Sequence, residues 1–248
     1  MPRGVALFDL DQTLIPWDTQ LLFVNWVIKH EPVRVLYLLV FVPFAPFAKL
    51  IGTEGMKRIF LTYLFGMERK RLEELVSSFV SWLIPEHTYP EIVQLLEEQK
   101  KRGHQTVLMT ASPAFYGKEV GKALGFDLTI GTDIDLGKRV RLFPDIIGGN
   151  NKGENKLTRL KEKYPDVLEN FGARDSAAFS DSHADLPMLR ICKEATMVNP
   201  TTGLKNAAEP HWALLTPPRP TRSKLAFAIA CARQALGLWP IKPLVETR

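Results

Sequence analysis

Two aspartates two residues apart follow a short apolar run near the N-terminus, and a threonine lies two residues beyond them. The segment reads ALFDLDQTL, with the carboxylates at Asp9 and Asp11. Like charges this close are costly unless a cation binds between them. The spacing therefore raises the question of which cation the rest of the chain would help to bind.

A second acidic pair, Asp181 and Asp185, lies in the segment FSDSHADLPML. If the fold brings this pair to Asp9 and Asp11, the four carboxylates would form an all-oxygen site that suits Mg²⁺. One carboxylate of such a site can also act as a nucleophile toward a phosphoryl group. The acidic residues therefore predict Mg²⁺ bound by Asp9, Asp11, Asp181 and Asp185.

A phosphoryl group also needs hydroxyl or N–H donors and a positive charge on its oxygens. Thr110 and Ser112, in MTASP, could supply a hydroxyl, and the helix predicted to open at Pro113 would add N–H donors. Lys156, in KGENK, could supply the charge. Taken singly, these motifs are more typical of caps, turns and solvated helices. Their order along the chain and their placement at strand ends favour one shared site.

The elements around these residues predict an α/β fold. GVALF, TVLMT and SAAFS are short apolar runs typical of buried strands, and helical patterns separate them. Strands that alternate with helices form a parallel sheet, which binds ligands at the carboxyl ends of its strands. Asp9, Thr110 and Asp181 all lie at such ends. In GTDIDLGKRVRLF we expect a hairpin that turns at Leu136–Gly137.

The size and composition fit one large domain, or a core with a smaller inserted domain. The chain has 248 residues, is 46% hydrophobic and has a net charge of +5 that is spread along its length. This charge suits anionic substrates or anionic lipid, and we expect no nucleic-acid partner.

The cysteines and the N-terminus bear on the cellular compartment. Cys192 and Cys231 lie far apart in the sequence, which argues against a zinc site or a disulfide framework. The first ten residues lack the long apolar run of a signal peptide. We therefore expect a cytoplasmic protein.

In combination the motifs resemble the haloacid dehalogenase (HAD) superfamily, and within it the phosphoserine-phosphatase-like branch. DLDQT is similar to motif I, VLMTAS to motif II, Lys156 to motif III and FSDSHADLPML to motif IV. The resemblance implies a Rossmann-like doubly wound parallel sheet with an inserted α-helical cap domain. It places the catalytic core in residues 1–16 and 87–248 and the cap in residues 17–86.

The resemblance also implies a role for each matched position. Asp9 would be the nucleophile that takes the phosphoryl group. Asp11 would protonate the leaving oxygen and then activate the hydrolytic water, while its backbone carbonyl ligates Mg²⁺. Thr110 would hold a phosphate oxygen. Lys156 would neutralise the phosphate and orient Asp9.

The remaining positions include departures from the branch. Asp181 would ligate Mg²⁺ directly, and Asp185 would act from behind it or position Lys156. His183 stands in a segment that lacks the asparagine of phosphoserine phosphatases, which argues against serine phosphate as the substrate. His183 is a candidate substrate contact. Asp18 would either face the substrate or simply cap the first helix of the insert.

The most unusual segment is VLYLLVFVPFAPFAKLI, residues 35–51. Its uncharged run is too short to span a bilayer and contains two prolines. It predicts either the apolar core of the cap or a segment at the membrane interface, flanked by Arg34 and Lys49 as anchors. The basic C-terminal helix could also lie on anionic lipid.

Three functions stay open at this level. The first is Mg²⁺-dependent hydrolysis of the phosphate monoester of a small metabolite through an aspartyl-phosphate. The second is the same chemistry on a lipid-linked phosphate, with peripheral contact to the inner face of an anionic membrane; a similar proline-broken segment occurs in bacterial phosphatidylglycerophosphate phosphatases of this superfamily. The third is a non-catalytic scaffold that binds a partner through the apolar cap. The filled catalytic positions disfavour the third.

Overall fold

The computed structural model describes residues 4–169 and 175–241, and at their centre is one seven-stranded sheet. The strands are β1 (Gly4–Phe8), β2 (His104–Pro113), β3 (Leu128–Ile134), β4 (Ile146–Ile147), β5 (Asp175–Ser180), β6 (Glu194–Val198) and β7 (Ala213–Leu215). Their order across the sheet is β4-β3-β2-β1-β5-β6-β7, and every neighbouring pair is parallel except β3 with β4.

The chain between β1 and β2 is helical over most of its length. Its first four helices are α1 (Thr19–His30), α2 (Leu38–Phe44), α3 (Ala48–Phe60) and α4 (Arg69–His87), joined in part by 3₁₀ turns at Pro32–Tyr37, Ala45–Phe47 and Leu61–Leu64. We call residues 17–86 the helical insert. Pro43 lies inside α2, and Gly52 interrupts α3 with a φ of 76°, a backbone conformation that favours glycine.

The remaining helices follow the strands of the sheet. They are α5 (Pro90–Lys101), α6 (Ala114–Ala123), α7 (Glu154–Lys163), α8 (Pro165–Glu169), α9 (Leu186–Arg190), α10 (Thr202–Asn206) and α11 (Lys224–Ala235). Along β1, Ala6 and Phe8 pack into one apolar core, and Val5 and Leu7 pack into a second. Successive strand side chains point to opposite faces, so an unbroken apolar run is what a doubly covered strand requires. The predicted doubly wound α/β fold is confirmed.

The predicted hairpin at Leu136–Gly137 is wrong. β3 does turn back into an antiparallel neighbour, but that neighbour is β4, with Asp133 opposite Ile147 and Ile134 opposite Ile146. The chain between the two strands is a long loop rather than a tight turn. Helix α6 also begins at Ala114 rather than Pro113, because β2 extends through Pro113.

The parallel register sets where the polar residues lie. Phe8, the last residue of β1, pairs with Leu108 of β2 and with Phe179 of β5. The pairing of β1 with β2 and with β5 therefore ends at one edge of the sheet, and β2 continues beyond it to Pro113. Asp9 follows Phe8 directly, and its backbone N–H donates to the carbonyl of Phe179 at 3.0 Å.

Candidate active site

The buried side chain of Lys156 forms salt bridges with both Asp9 and Asp185. Lys156, on α7, places its Nζ 2.6 Å from Oδ1 of Asp9 and 2.8 Å from Oδ2 of Asp185. Ser180 also donates to Oδ2 of Asp185 at 2.7 Å. Burial alone would lower the pKa of Lys156, but the charges of Asp185 and Asp9 outweigh it and raise that pKa. Lys156 is therefore held protonated against Asp9.

The carboxylates of Asp9 and Asp181 both lie close to the hydroxyl group of Thr13. The Oγ1 of Thr13 lies 3.4 Å from Oδ2 of Asp9 and 3.5 Å from Oδ1 of Asp181, and it accepts the backbone N–H of Asp181 at 3.0 Å. The sequence motifs assign no role to Thr13. Its position four residues after Asp9 is the only sequence feature that indicates its place in the site.

The carboxylate pair fits a hard divalent cation such as Mg²⁺. Burial, followed by the charge of Asp9, raises the pKa of Asp181 to about 8. Burial also raises the pKa of Asp9 to about 7, against the opposing charge of Lys156. Two buried acidic groups whose ionised forms are disfavoured by burial and by neighbouring carboxylates are a donor set that a cation would stabilise in the ionised form.

Of the four aspartates predicted at the cation site, Asp11 and Asp185 have carboxylates that accept hydrogen bonds from other groups. Asp185 is occupied by Lys156 and Ser180, and both oxygens of Asp11 accept other hydrogen bonds. Within the described ranges, 4–169 and 175–241, no group of three or more Asp, Glu, His or Cys side chains is arranged to hold a metal ion. A cation here would complete its shell with backbone or water oxygens, as Mg²⁺ commonly does.

The hydroxyls of Thr110 and Ser112 have different surroundings. Thr110 is fully buried at the carboxyl end of β2, and its Oγ1 accepts the backbone N–H of Ser112 at 2.9 Å. The O–H of Thr110 stays available to donate. Ser112 instead directs its hydroxyl to Oδ2 of Asp11 at 2.7 Å. The geometry therefore favours Thr110 over Ser112 as a phosphate donor.

Asp11 is the end of a buried hydrogen-bonded chain. Its Oδ1 accepts the backbone N–H of Thr19 at 2.7 Å, and its Oδ2 accepts from Ser112. The hydroxyls of Ser112 and Thr19 lie 3.0 Å apart, and those of Thr19 and Tyr116 lie 3.2 Å apart. Three elements, α1, β2 and α6, thus fix the orientation of one carboxylate. Thr19 and Tyr116 carry no sequence motif that would have marked them.

The helical insert reaches the site through Lys57 on α3. Its Nζ lies 2.5 Å from the carbonyl of Ala111 and 2.6 Å from Oδ1 of Asn150. Burial lowers the pKa of Lys57 to about 8, although the charges of Asp11 and Asp18 oppose this shift. Sequence reasoning missed Lys57, because nothing in its local pattern indicates where α3 packs.

Two predicted substrate contacts, Asp18 and His183, lie beside the site but do not bond to its central residues. Asp18 caps α1, with its Oδ1 accepting the backbone N–H groups of Gln20 and Leu21 at 2.8 and 3.1 Å. Burial raises its pKa to about 6. His183 lies on an exposed 3₁₀ turn after β5, packed close to Gly203. The geometry brings neither residue into hydrogen-bond contact with Asp9 or Lys156.

The catalytic candidates are shielded from solvent. Asp9 is 7% exposed, Asp181 5% and Lys156 2%. Two buried carboxylates that could hold a cation, beside a third carboxylate fixed by a hydroxyl and a backbone N–H, are an arrangement suited to phosphoryl transfer.

The family model of haloacid dehalogenase-like hydrolases matches residues 6–190, about three quarters of the chain. The chain belongs to this family. The match runs from β1 to the end of α9 and so includes every residue of the site described above. The predicted resemblance is thereby confirmed, and the non-catalytic scaffold loses its support.

Curated relatives of this hydrolase include proteins named as phosphatases. A histidinol-phosphatase from Neisseria meningitidis is 27% identical over 225 residues, covering 86% of this chain and 98% of the relative. The protein CicA from Caulobacter vibrioides is 26% identical over 200 residues, covering 77% and 83%. With the family match, the relative named as a phosphatase confirms the predicted enzyme class, a phosphoric monoester hydrolase of the HAD type.

Solved structures share the fold of the hydrolase. A protein of unknown function from Bordetella pertussis Tohama I has a TM-score of 0.73 at 22% identity and covers 87% of this chain and 99% of its own. A phosphoserine phosphatase, solved as a phospho-aspartyl intermediate analogue, has a TM-score of 0.57 at 14% identity and covers 88% and 95%. At these identities the likeness concerns the fold alone.

Proposed function

We propose that this hydrolase is a Mg²⁺-dependent phosphatase that cleaves the phosphate monoester of a small metabolite through an aspartyl-phosphate on Asp9. The observation that carries this proposal is the 2.6 Å contact between Lys156 and Asp9, with Asp181 held beside Asp9 through Thr13. A nucleophile, a fixed positive charge and a cation-binding carboxylate are thus already arranged around one point.

In the first step, a carboxylate oxygen of Asp9 attacks phosphorus and the bond from phosphorus to the ester oxygen breaks. Lys156 orients Asp9 through Oδ1. Thr110 donates its hydroxyl to a non-bridging oxygen. Asp11, fixed by Ser112 and Thr19, gives its proton to the leaving alkoxide, which departs as the alcohol.

In the second step, Asp11 accepts a proton from water as the water oxygen attacks phosphorus. The bond between phosphorus and Asp9 breaks, inorganic phosphate leaves, and the Asp9 carboxylate is restored. Bound Mg²⁺, held by Asp9, Asp181 and the Asp11 backbone carbonyl, would neutralise charge on the phosphoryl oxygens.

We also assign the helical insert, residues 17–86, as a cap over the core. Lys57 and Glu54 of α3 both bond to Asn150, the first through Oδ1 and the second through the backbone N–H at 2.7 Å. These contacts connect the insert to the loop that leads into the helix of Lys156. Because the candidate catalytic residues are buried, substrate entry requires the insert to move.

The substrate class follows from relatives and from the surface of the insert. A relative named histidinol-phosphatase supports a small phosphorylated alcohol as the substrate. The exposed apolar residues of the insert favour the second candidate, a lipid-linked phosphate. Rates on a panel of small phosphate esters, compared with phosphatidic acid and phosphatidylglycerophosphate in detergent, separate the two. A lipid preferred over every soluble ester would overturn the metabolite assignment.

A further inference from the structure

One segment of the helical insert is strongly apolar, although most of it is exposed to solvent. Pro32–Leu64 contains an 18-residue window with a mean hydropathy of 2.0, of which only 6% is buried. We call this segment the apolar hairpin. By length and composition alone, it is long enough to cross a membrane.

The structure shows that the two ends of the apolar hairpin lie together. Arg34, near its start, donates to the carbonyl of Tyr63, near its end, at 2.8 Å. The rings of Tyr37 and Tyr63 are also in contact, with centroids 5.9 Å apart. A spanning segment must separate its ends by about 30 Å. The apolar hairpin therefore leaves the body of the protein and returns to the same side.

The tip of the apolar hairpin is exposed and lacks acidic residues. Residues 42–47 are all exposed, and Leu50 beside them has 87% of its surface open to solvent. Phe47 is 57% exposed. Exposed apolar side chains of this size, gathered on one projection, are typical of surfaces that bind a partner.

Helix α11 presents a second exposed apolar stripe. Leu225, Ile229 and Leu236 follow a spacing of four and seven residues, which places them on one helical face. Leu225 is 71% exposed and Ile229 is 53% exposed. Lys224 and Arg233 project to either side of the stripe by the same helical geometry. An apolar stripe bordered by cations is the pattern of a helix that lies in a membrane interface.

The two surfaces are neighbours in the structure. The hydroxyl of Tyr37, in the apolar hairpin, donates to the carbonyl of Ala235 at the end of α11, at 3.0 Å. Helix α11 also packs against α1, which leads directly into the hairpin. The stripe and the hairpin therefore belong to one connected part of the molecule.

The charge of these two segments favours an anionic partner. Residues 32–53, the part of the apolar hairpin before Glu54, and residues 219–238, around α11, together contain six Lys and Arg and no Asp or Glu, and of these six Arg34 is paired with Glu31. The rest of the chain contains 26 Lys and Arg against 27 Asp and Glu, a net charge of −1. The net positive charge of the protein therefore comes from these two stretches, since the rest of the chain has a small net negative charge. A symmetric dimer through this surface would oppose cations to cations, which disfavours a second copy as the occupant.

We propose that the apolar hairpin and α11 form a docking surface for an anionic phospholipid bilayer. The hairpin tip and the α11 stripe enter the interface while Lys49, Arg222 and Lys224 face the headgroups. This binding does not depend on the chemistry at Asp9, so the substrate could be soluble or lipid-linked.

Co-sedimentation with vesicles tests the proposal. The full chain is mixed with vesicles of phosphatidylcholine alone, or of three parts phosphatidylcholine to one part phosphatidylglycerol. We expect binding to the anionic vesicles at least about tenfold tighter than to the neutral ones, and weakened by salt. Phe47→Ser with Leu50→Ser, and separately Leu225→Ser with Ile229→Ser, should each weaken it at least about fivefold.

A matched control is Leu214→Ser on β7, since Leu214 is 56% exposed but lies outside both segments. All variants should keep the wild-type rate on a soluble phosphate ester, which shows that they fold. Absence of vesicle binding by the wild type overturns the proposal. An equal loss of vesicle binding in Leu214→Ser also overturns it. A dimer in solution that the hairpin and α11 variants abolish, without vesicle binding, would assign the surface to a second copy instead.

Discussion

Ser112 donates a 2.7 Å hydrogen bond to Oδ2 of Asp11. A side chain that the sequence marks as a phosphate ligand is thus bonded to the proposed acid–base group. The orientation of Asp11 depends on this bond and on the N–H of Thr19, because the structure shows no other hydrogen bond to that carboxylate among the described residues. Ser112 is therefore a positioning residue in this account.

Loss of that bond should affect poor leaving groups most. Ser112→Ala is expected to lower kcat about ten- to hundredfold for an alkyl phosphate, whose alkoxide needs a proton from Asp11. For p-nitrophenyl phosphate, whose leaving group needs little protonation, the loss should be several-fold smaller. Steady-state kinetics on both esters measure the difference. The exposed Ser81 on α4 provides the matched control, Ser81→Ala, and an equal loss on both esters would contradict the positioning role.

Lys57 should control how well the helical insert closes. Lys57→Met removes the bonds to Ala111 and Asn150 and should lower kcat/KM about tenfold, mostly through KM, since a hydrogen bond from a charged donor contributes roughly 1.5–3 kcal/mol. Lys49→Met, a change at an exposed position of the same helix, should leave the kinetics unchanged. Equal kinetics for wild type and Lys57→Met would show that Lys57 has no role in closing the helical insert.

Lys156 should matter for folding as well as for turnover. Lys156→Met leaves Asp9 and Asp185 buried without their shared cation, which should cost about 3–5 kcal/mol of unfolding free energy near pH 8. The cost should shrink toward pH 5, where the carboxylates of the variant take up protons. Urea unfolding at both pH values measures it. The exposed Lys152→Met serves as the control, and a pH-independent cost would point to lost packing instead.

The metal-free protein should lose stability as pH rises. Folding raises the pKa of Asp9 from 3.8 to about 7 and that of Asp181 from 3.8 to about 8. The folded chain then holds more protons than the unfolded chain across this window, so the free energy of unfolding falls between about pH 4 and pH 8.

Mg²⁺ should reverse this trend because it binds the ionised carboxylates. The increase in Tm on adding Mg²⁺ is expected to be larger at pH 8 than at pH 5, with chelator present in the reference samples. Asp181→Asn should flatten the pH dependence and remove most of the Mg²⁺ effect. If Mg²⁺ does not change the Tm of the wild type at pH 8, the result would argue against a cation site formed by Asp9 and Asp181.

The central strands and their catalytic ends were predictable because local pattern determines them. Asp9, Thr110 and Asp181 each close an apolar run, and parallel strands bring such ends together. Lys156 was predictable only through its order after the other motifs. Its contact with Asp9 spans 147 residues of sequence, and no local pattern determines it.

What failed had a physical reason in each case. The antiparallel partner of β3 is the two-residue strand β4, which is too short to show an alternating pattern. The sequence shows the turn at Gly137 more clearly, and the predicted hairpin was placed there for that reason. Lys57 and Tyr116 act through tertiary packing that helical periodicity does not encode. The apolar run at residues 35–51 reads the same whether it is buried or exposed, and only the structure shows that its tip is open to solvent.

The nucleophilic role of Asp9 is tested by hydrolysis of p-nitrophenyl phosphate by the wild type and by Asp9→Asn, each with Mg²⁺ and with a chelator. We expect turnover that requires Mg²⁺ and that falls at least about a thousandfold in Asp9→Asn, since the nucleophile is lost. Asp166→Asn, at an exposed position on α8, should retain the wild-type rate. Turnover that persists in Asp9→Asn, or that is unchanged by removal of Mg²⁺, would exclude a Mg²⁺-dependent aspartyl-phosphate mechanism on Asp9.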